Sequence, residues 1–316
     1  MPHWMMKAVA QKTISLVPGS RIWNHLFQSH ITKSLDLDRS EWPCPSRFTY
    51  KLVQCQRHLE NYMSAGCPAP RTVLELGTGW HPIIPVGLFL CGAGEIWTID
   101  QESLLSLKSV RNVLARFANF AWNSGLAQLL PRADRRRIGA LEEALASKAS
   151  SSAALLARLN IHTLVGDARH TGLPAASCDL IVSNNTLEHI PLPVLTGVFQ
   201  EFRRLPSPSG VMSHFVDMAD HYVHFDDRLS PYNFLRYSES TWRLLNNPLQ
   251  YLNRLRIADY RALHTATGFT IRQEDSDASA ADRLAGIRLA AEFQLYSGAD
   301  LAVTSSWLVS MPTPAM

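Results

Sequence analysis

The chain has 316 residues, 46% of them hydrophobic and 18% charged, enough for one large domain, or one domain with additions, around an ordinary core. A formal net charge of +3 is too small over this length to argue for nucleic acid, and every apolar run is interrupted before the roughly 18 residues that span a membrane. Its five cysteines, Cys44, Cys55, Cys67, Cys91 and Cys178, form no C-x-x-C pair, which argues against a disulfide framework or a cysteine zinc site and for the reducing cytoplasm; the segment before Gln11 and Lys12 also lacks the apolar core of a secretory leader.

Residues 1–70 read as an N-terminal helical cap. Met5, Met6, Val9, Ile14, Leu16 and Val17 are loosely amphipathic up to Pro18-Gly19, and Ile22, Trp23, Leu26 and Phe27 continue the pattern at helical spacing. The segment is expected to cover one end of a sheet; the sharper alternative is a lid over an apolar pocket, or a surface resting on a membrane. Trp42-Pro43-Cys44-Pro45 is a rigid break, and Phe48 to Met63 reads as a helix. Val73-Leu74-Glu75-Leu76 then runs into Gly77-Thr78-Gly79, and Ile83 to Leu90 is apolar. That is a buried strand, a tight loop and a helix, a unit whose backbone N–H groups can approach a ligand closely. The dinucleotide fingerprint G-x-G-x-x-G fails at Pro82, which argues against a nicotinamide oxidoreductase, and no Gly-Lys-Ser/Thr phosphate loop is present.

The second strand, Glu95 to Asp100, ends on an acid one βαβ step after Glu75, so both carboxylates reach the same sheet edge. Residues 102–130 read as one long helical stretch, Arg132 to Arg137 as a solvated basic run, and residues 138–159 as a helical insertion. A third strand, Ile161 to Val165, leads to Gly166-Asp167-Ala168, and a fourth, Leu180 to Ser183, leads to Asn184-Asn185-Thr186-Leu187-Glu188-His189-Ile190. A helix from Leu192 to Leu205, a fifth strand from Val211 to Asp217, a sixth at Phe269 to Arg272 and a seventh at Leu301 to Val309 complete the pattern, with a helix expected around Ala280–Phe293.

Taken in order, Glu-x-Gly-x-Gly, the acid at Asp100, Gly-Asp-Ala, Asp-Leu-Ile-Val-Ser-Asn and Leu-Glu-His-Ile resemble the motifs of class I S-adenosylmethionine (SAM) methyltransferases over residues 72–217. The third glycine usual in that family falls at His81. The resemblance implies a Rossmann-like α/β fold, a seven-stranded, mostly parallel sheet with helices on both faces, in a domain of residues 71–316 with SAM as cofactor. It implies that Gly77, Thr78 and Gly79 lie against the amino-acid end of SAM and that Glu75 orients the loop. Asp100 would hold the ribose, Asp167 would accept from the adenine amino group beside the Ala168 N–H, and Asn184 would sit under the methionine portion. His189 is expected to be structural.

Residues 218–253 exceed the minimal fold and are expected to form a lid. The stretch 214–227, with His214, His221, His224, Asp217, Asp220, Asp226 and Asp227, leaves the sheet edge where ligands bind in open α/β folds. Removing an acceptor hydroxyl proton as a methyl arrives needs a His or Asp within hydrogen-bond reach, so Asp217, Asp220 and His221 are the candidate catalytic residues. A divalent metal is the alternative, but the spacing matches no ligand motif and no metal is expected. Arg243, Arg254 and Arg256 are the candidate substrate-binding residues, as bidentate clamps for an anionic acceptor. The expected function is therefore a cytoplasmic, SAM-dependent methyltransferase acting on a small acceptor, not on nucleic acid. Oxygen is the favoured atom, in particular the carboxylate of a lipid-like acid, giving a methyl ester. Sugar or secondary-metabolite O-methylation is the alternative, as is a SAM-binding regulatory protein without catalysis.

Overall fold

The computed structural model describes residues 3–15, 36–38, 44, 46–67, 69–123, 125–226, 228–248 and 251–314. The expected helical continuation through Ile22 to Phe27 and most of the break at 42–45 lie outside the described residues.

The strands are β1 (Thr72–Leu76), β2 (Glu95–Asp100), β3 (Ile161–Val165), β4 (Cys178–Asn184) and β5 (Pro206–Asp217), followed by β6 (Phe269–Asp277) and β7 (Ser305–Pro312). They make one seven-stranded sheet in the order β3-β2-β1-β4-β5-β7-β6, with β7 antiparallel to both its neighbours. Apolar runs with little alternation form the central strands, buried on both faces in β1 and β4, while the edge strands β3 and β6 are more exposed. Strand order reverses between β1 and β4, so the carboxyl ends of β1, β2 and β4 open a crevice there. Register carries it through: Leu76 pairs with Ile99 and with Ser183, and Asn184 with Phe215.

Helices cover both faces. α2 (Arg47–Ser64), capped by Ser46, α3 (Ile83–Leu90), α4 (Leu107–Trp122), α5 (Gly125–Leu129), α6 (Arg135–Ala146) and α7 (Ser152–Ala157) lie on one side. There Phe48, Leu52, Val86, Phe117 and Val182 share a core. α8 (Leu192–Arg204) and α10 (Ile257–Ala266), which follows α9 (Glu239–Leu245), cover the other around Leu74, Ile181, Phe199, Phe202 and Tyr260. A third cluster joins Trp4 and Ala8 of α1 (His3–Ser15) to Tyr222, Tyr232, Phe234, Trp242 and Leu252. The first helix therefore packs on the insertion after β5, not on an end of the sheet.

Several boundaries differ from the sequence expectation. The stretch 102–130 is two helices: Ser106 caps the first by accepting from Ser109 N–H, and the first ends at Asn123. The insertion 138–159 is likewise divided, with Asp134 and Ser151 capping its two helices. Arg137 is no simple solvated residue: its guanidinium donates to the carbonyls of Phe89 (2.8 Å) and Ala93 (2.6 Å), closing the end of α3. The region 280–293 holds short 3-10 turns instead of a helix, and Leu301 belongs to α11 (Gly298–Ala302), so β7 begins only at Ser305.

Candidate active site

The loop after β1 is shaped by two glycines in the left-handed region, Gly77 at φ +81° and Gly79 at φ +69°. A Cβ at Gly77 would stand 2.3 Å from Thr186 Oγ1, so that position is closed by packing against the loop after β4. A Cβ at Gly79 would meet nothing within 4 Å, so its face is open to a ligand. Thr78 Oγ1 donates to Glu75 Oε2 at 2.5 Å, and Gly79 N–H donates to Asp100 Oδ2 at 3.1 Å. Burial pushes the Glu75 carboxyl up to about 8, with Thr78 pulling the other way, and pushes Asp100 up to about 6. His81, at the place of a third glycine, bonds through Nδ1 to Ser109 Oγ at 2.8 Å and so ties the loop to α4.

Asn184 ends β4 with its amide buried and without a standard hydrogen-bond partner. It lies beside His58, whose ring burial holds near pKa 3 and which contacts Ser213 Oγ at 2.8 Å. Lys51 of α2 donates to Asn185 Oδ1 at 3.3 Å, so a cation reaches this edge, a residue the sequence reading did not single out. Asp167 and Ala168 follow β3 as expected. The Asp167 carboxylate is, however, held by Arg169 through Nε at 2.9 and 2.8 Å and the guanidinium at 2.5 Å, which lowers it to about 2.

On the other side of Asn184 the ends of β4 and β5 bring four titratable groups together. His221 Nε2 stands 3.4 Å from Asp217 Oδ2, and the rings of His189 and His221 are 5.1 Å apart. One ligating atom each from Glu188, His189 and His221 lies within 4.8 Å of the others. Glu188 is 2% exposed with neither carboxylate oxygen hydrogen-bonded, and burial, reinforced by Asp217, raises it to about 8. His189 Nδ1 faces the Tyr251 carbonyl at 2.7 Å, and burial lowers its pKa to about 4. Burial opposes charge on Asp217 and His221, but each favours the other's ion: Asp217 ends below the usual range and His221 above it. Glu188 is not singled out by the sequence, and His189 is expected there to be structural; the available signal is a charged pair set between Leu187 and Ile190.

The surroundings of Asp220, Arg254 and Arg256 oppose the roles expected of them. Asp220 is fully buried; its carboxylate accepts from Tyr222 N–H at 2.9 Å and Asn233 Nδ2 at 3.0 Å, so it caps a turn and has no free edge for an acceptor. Arg256, also fully buried, donates to the carbonyls of Met218 (2.6 Å), Leu301 (2.9 Å) and Val303. Arg254 donates to Phe234 O (3.1 Å), Tyr237 O (2.6 Å) and Glu239 (2.7 Å). Both arginines stitch the insertion together and are spent as anion clamps. Arg243 is 77% exposed, 3.8 Å from Glu239. Beside Asp217, on the same face of β5 two residues earlier, Phe215 lines a cavity of about 430 Å³ with Tyr50, Gln54, Arg57 and Trp307.

Residues 137–213 match the sequence profile of a methyltransferase domain family. No curated protein sequence matches the chain. Among solved structures, the PH0226 protein of Pyrococcus horikoshii OT3 is 14% identical, covering 91% of this chain and 98% of its own, with a TM-score of 0.50. A candidate sarcosine dimethylglycine methyltransferase of Galdieria sulphuraria is 16% identical (83% and 86% covered, TM-score 0.44). A geranyl diphosphate methyltransferase in complex with SAM is 10% identical (83% and 85% covered, TM-score 0.44). At these identities the likeness is one of fold.

Proposed function

We propose, from the premise that this chain carries a methyltransferase domain on the class I, Rossmann-like fold, that it transfers a methyl group from SAM to a hydroxyl oxygen of a small acceptor. The observation that carries this reading is the glycine loop, pinned between the buried Glu75 and the half-buried Asp100 at the switch point and open over Gly79. Those groups suit a cationic, hydroxyl-rich ligand: Glu75 and the loop for the amino-acid end, Asp100 for the ribose, Asn184 with its buried amide for the methionine portion. Asp167 and Ala168 would take the adenine, which requires the Arg169 pair to shift.

When bound, SAM supplies an electrophilic methyl group on a sulfonium sulfur. The chain's part is then positioning and proton removal, since an in-line displacement needs no covalent enzyme intermediate. Asp217, with His221 at 3.4 Å, would take the proton of the acceptor hydroxyl. The acceptor body would lodge against Tyr50, Phe215 and Trp307, where the Gln54 amide is buried and lacks a hydrogen-bond partner. A carboxylate acceptor loses its support because Arg254 and Arg256 are committed to the fold.

The test incubates purified protein with methyl-labelled SAM and a metabolite extract, then treats the product with mild alkali. Alkali-stable label leaves an ether, amine or carbon acceptor, and an O-methyl group in the purified product supports the hydroxyl reading. Label released as methanol would mean a methyl ester and contradict it. S-adenosylhomocysteine (SAH) binding with no transfer to any extract would favour a SAM-binding protein without catalysis.

A further inference from the structure

We infer that Glu188, His189 and His221 form a binding site for one divalent transition-metal ion at the acceptor edge of the crevice. The donors come from two segments, the turn after β4 and the turn after β5, and present one carboxylate and two imidazoles within 4.8 Å of one another. An ion bound at about 2.1 Å from each holds its ligand atoms roughly 3–3.5 Å apart, so closing needs an inward movement of under about 1 Å per ligand.

Two independent features point to a ligand. The Glu188 carboxyl is 2% exposed with both oxygens lacking hydrogen-bond partners, although buried polar oxygens are costly unless hydrogen-bonded or bound to metal. A second carboxylate, Asp217, lies against the same group through His221. The tautomer of His189 is also set for ligation. Nδ1 faces a carbonyl, which only accepts, so Nδ1 carries the proton and Nε2 keeps the lone pair. An imidazole oriented through its far nitrogen by a carbonyl is the usual outer shell of a metal-bound histidine. Two imidazoles and one carboxylate suit Mn²⁺, Fe²⁺, Co²⁺ or Zn²⁺ better than Ca²⁺ or Mg²⁺.

Such an ion would make the acceptor-side chemistry possible at neutral pH. Three protein ligands leave coordination positions for an acceptor hydroxyl, whose proton a bound ion would loosen so that Asp217 takes it more readily. As the C–S bond of the methyl donor breaks and the C–O bond forms, the sulfur leaves as a neutral thioether. This role rests on the methyltransferase reading; the binding of metal does not.

The experiment titrates Co²⁺ into chelator-stripped full-length protein and follows its visible ligand-field band, with SAH binding measured by calorimetry on the same samples. One Co²⁺ per chain is expected, with the band lost or affinity at least tenfold weaker in both Glu188→Gln and His221→Gln. The two variants lie on different turns, and SAH affinity within about twofold of wild type would report that each retains its fold. Absence of the band at millimolar Co²⁺, or unchanged affinity in folded forms of both variants, would overturn the site. Failure of the wild type to bind SAH while Co²⁺ binds would instead remove the methyltransferase reading and leave the metal site standing.

Discussion

The loop after β1 and the turns after β4 and β5 lie at the same end of the sheet, yet they are held by different means. The first is a backbone device: two positive-φ glycines and an acid near the carboxyl end of each of β1 and β2, with Thr78 and Gly79 bonding to carboxylates at 2.5 and 3.1 Å. The second is a side-chain device: Asp217, His221, Glu188 and His189 converge from separate turns, and the insertion that carries some of them is fixed by buried arginines. A backbone device tolerates little change at its glycines, and its distant partners, Asp100, Ser109 and Thr186, are few. A side-chain device depends on everything that holds its turns in place.

That contrast can be broken from either side. The largest expected effect is on the acceptor side: Arg256→Ala leaves the carbonyls of Met218, Leu301 and Val303 without their donor and should cost about 3–5 kcal/mol in denaturant unfolding. If it unfolded like wild type, the insertion would not rest on that side chain. Gly77→Ala tests the backbone half. The added methyl meets Thr186 Oγ1 at 2.3 Å in a left-handed residue, so a loss of about 2 kcal/mol or more is expected. Adding Thr186→Ala should recover part of that loss, the steric share, and leave the backbone strain.

A smaller effect is set by buried histidines behind the acceptor edge. Burial holds His58 at about 3 and His264 at about 4, below their unfolded values. The unfolded chain therefore binds more protons, and stability present above about pH 6.5 is lost as the pH falls, on the order of 1 kcal/mol per histidine by pH 5.5. Unfolding midpoints of wild type and His58→Asn between pH 7.5 and 5.5 check this; parallel curves would contradict it. The smallest change belongs to Arg243→Ala, whose exposed side chain should contribute within about 0.5 kcal/mol to stability and nothing to turnover.

The backbone half was legible because its signal is local. A glycine forced to positive φ and an acid at a strand end are written in consecutive residues, so Glu75, Gly77, Gly79 and Asp100 fell where the spacing put them. The seven-stranded, mostly parallel sheet was implied by the family resemblance, and its order is read from the structure. The acceptor half was only partly legible, because a charged residue in a sequence does not say whom it will meet. Arg254 and Arg256 had the chemistry of an anion clamp but meet backbone carbonyls in the interior. Asp220 sat in the right segment but caps a turn. Glu188 and His189 gained meaning only when the β5 turn brought His221 beside them, a contact that no spacing within one segment encodes.

The most direct test of the account is calorimetric titration of SAH into wild type and Asp100→Ala. The wild type is expected to bind, more tightly as the pH rises through about 6, where the Asp100 carboxyl ionises. Asp100→Ala, lacking a charged acceptor for the ribose hydroxyls, should bind about 10–100-fold more weakly with its unfolding midpoint little changed. Equal affinity in the two proteins, or no binding by wild type at any pH, would contradict the assignment of the glycine loop as the cofactor site.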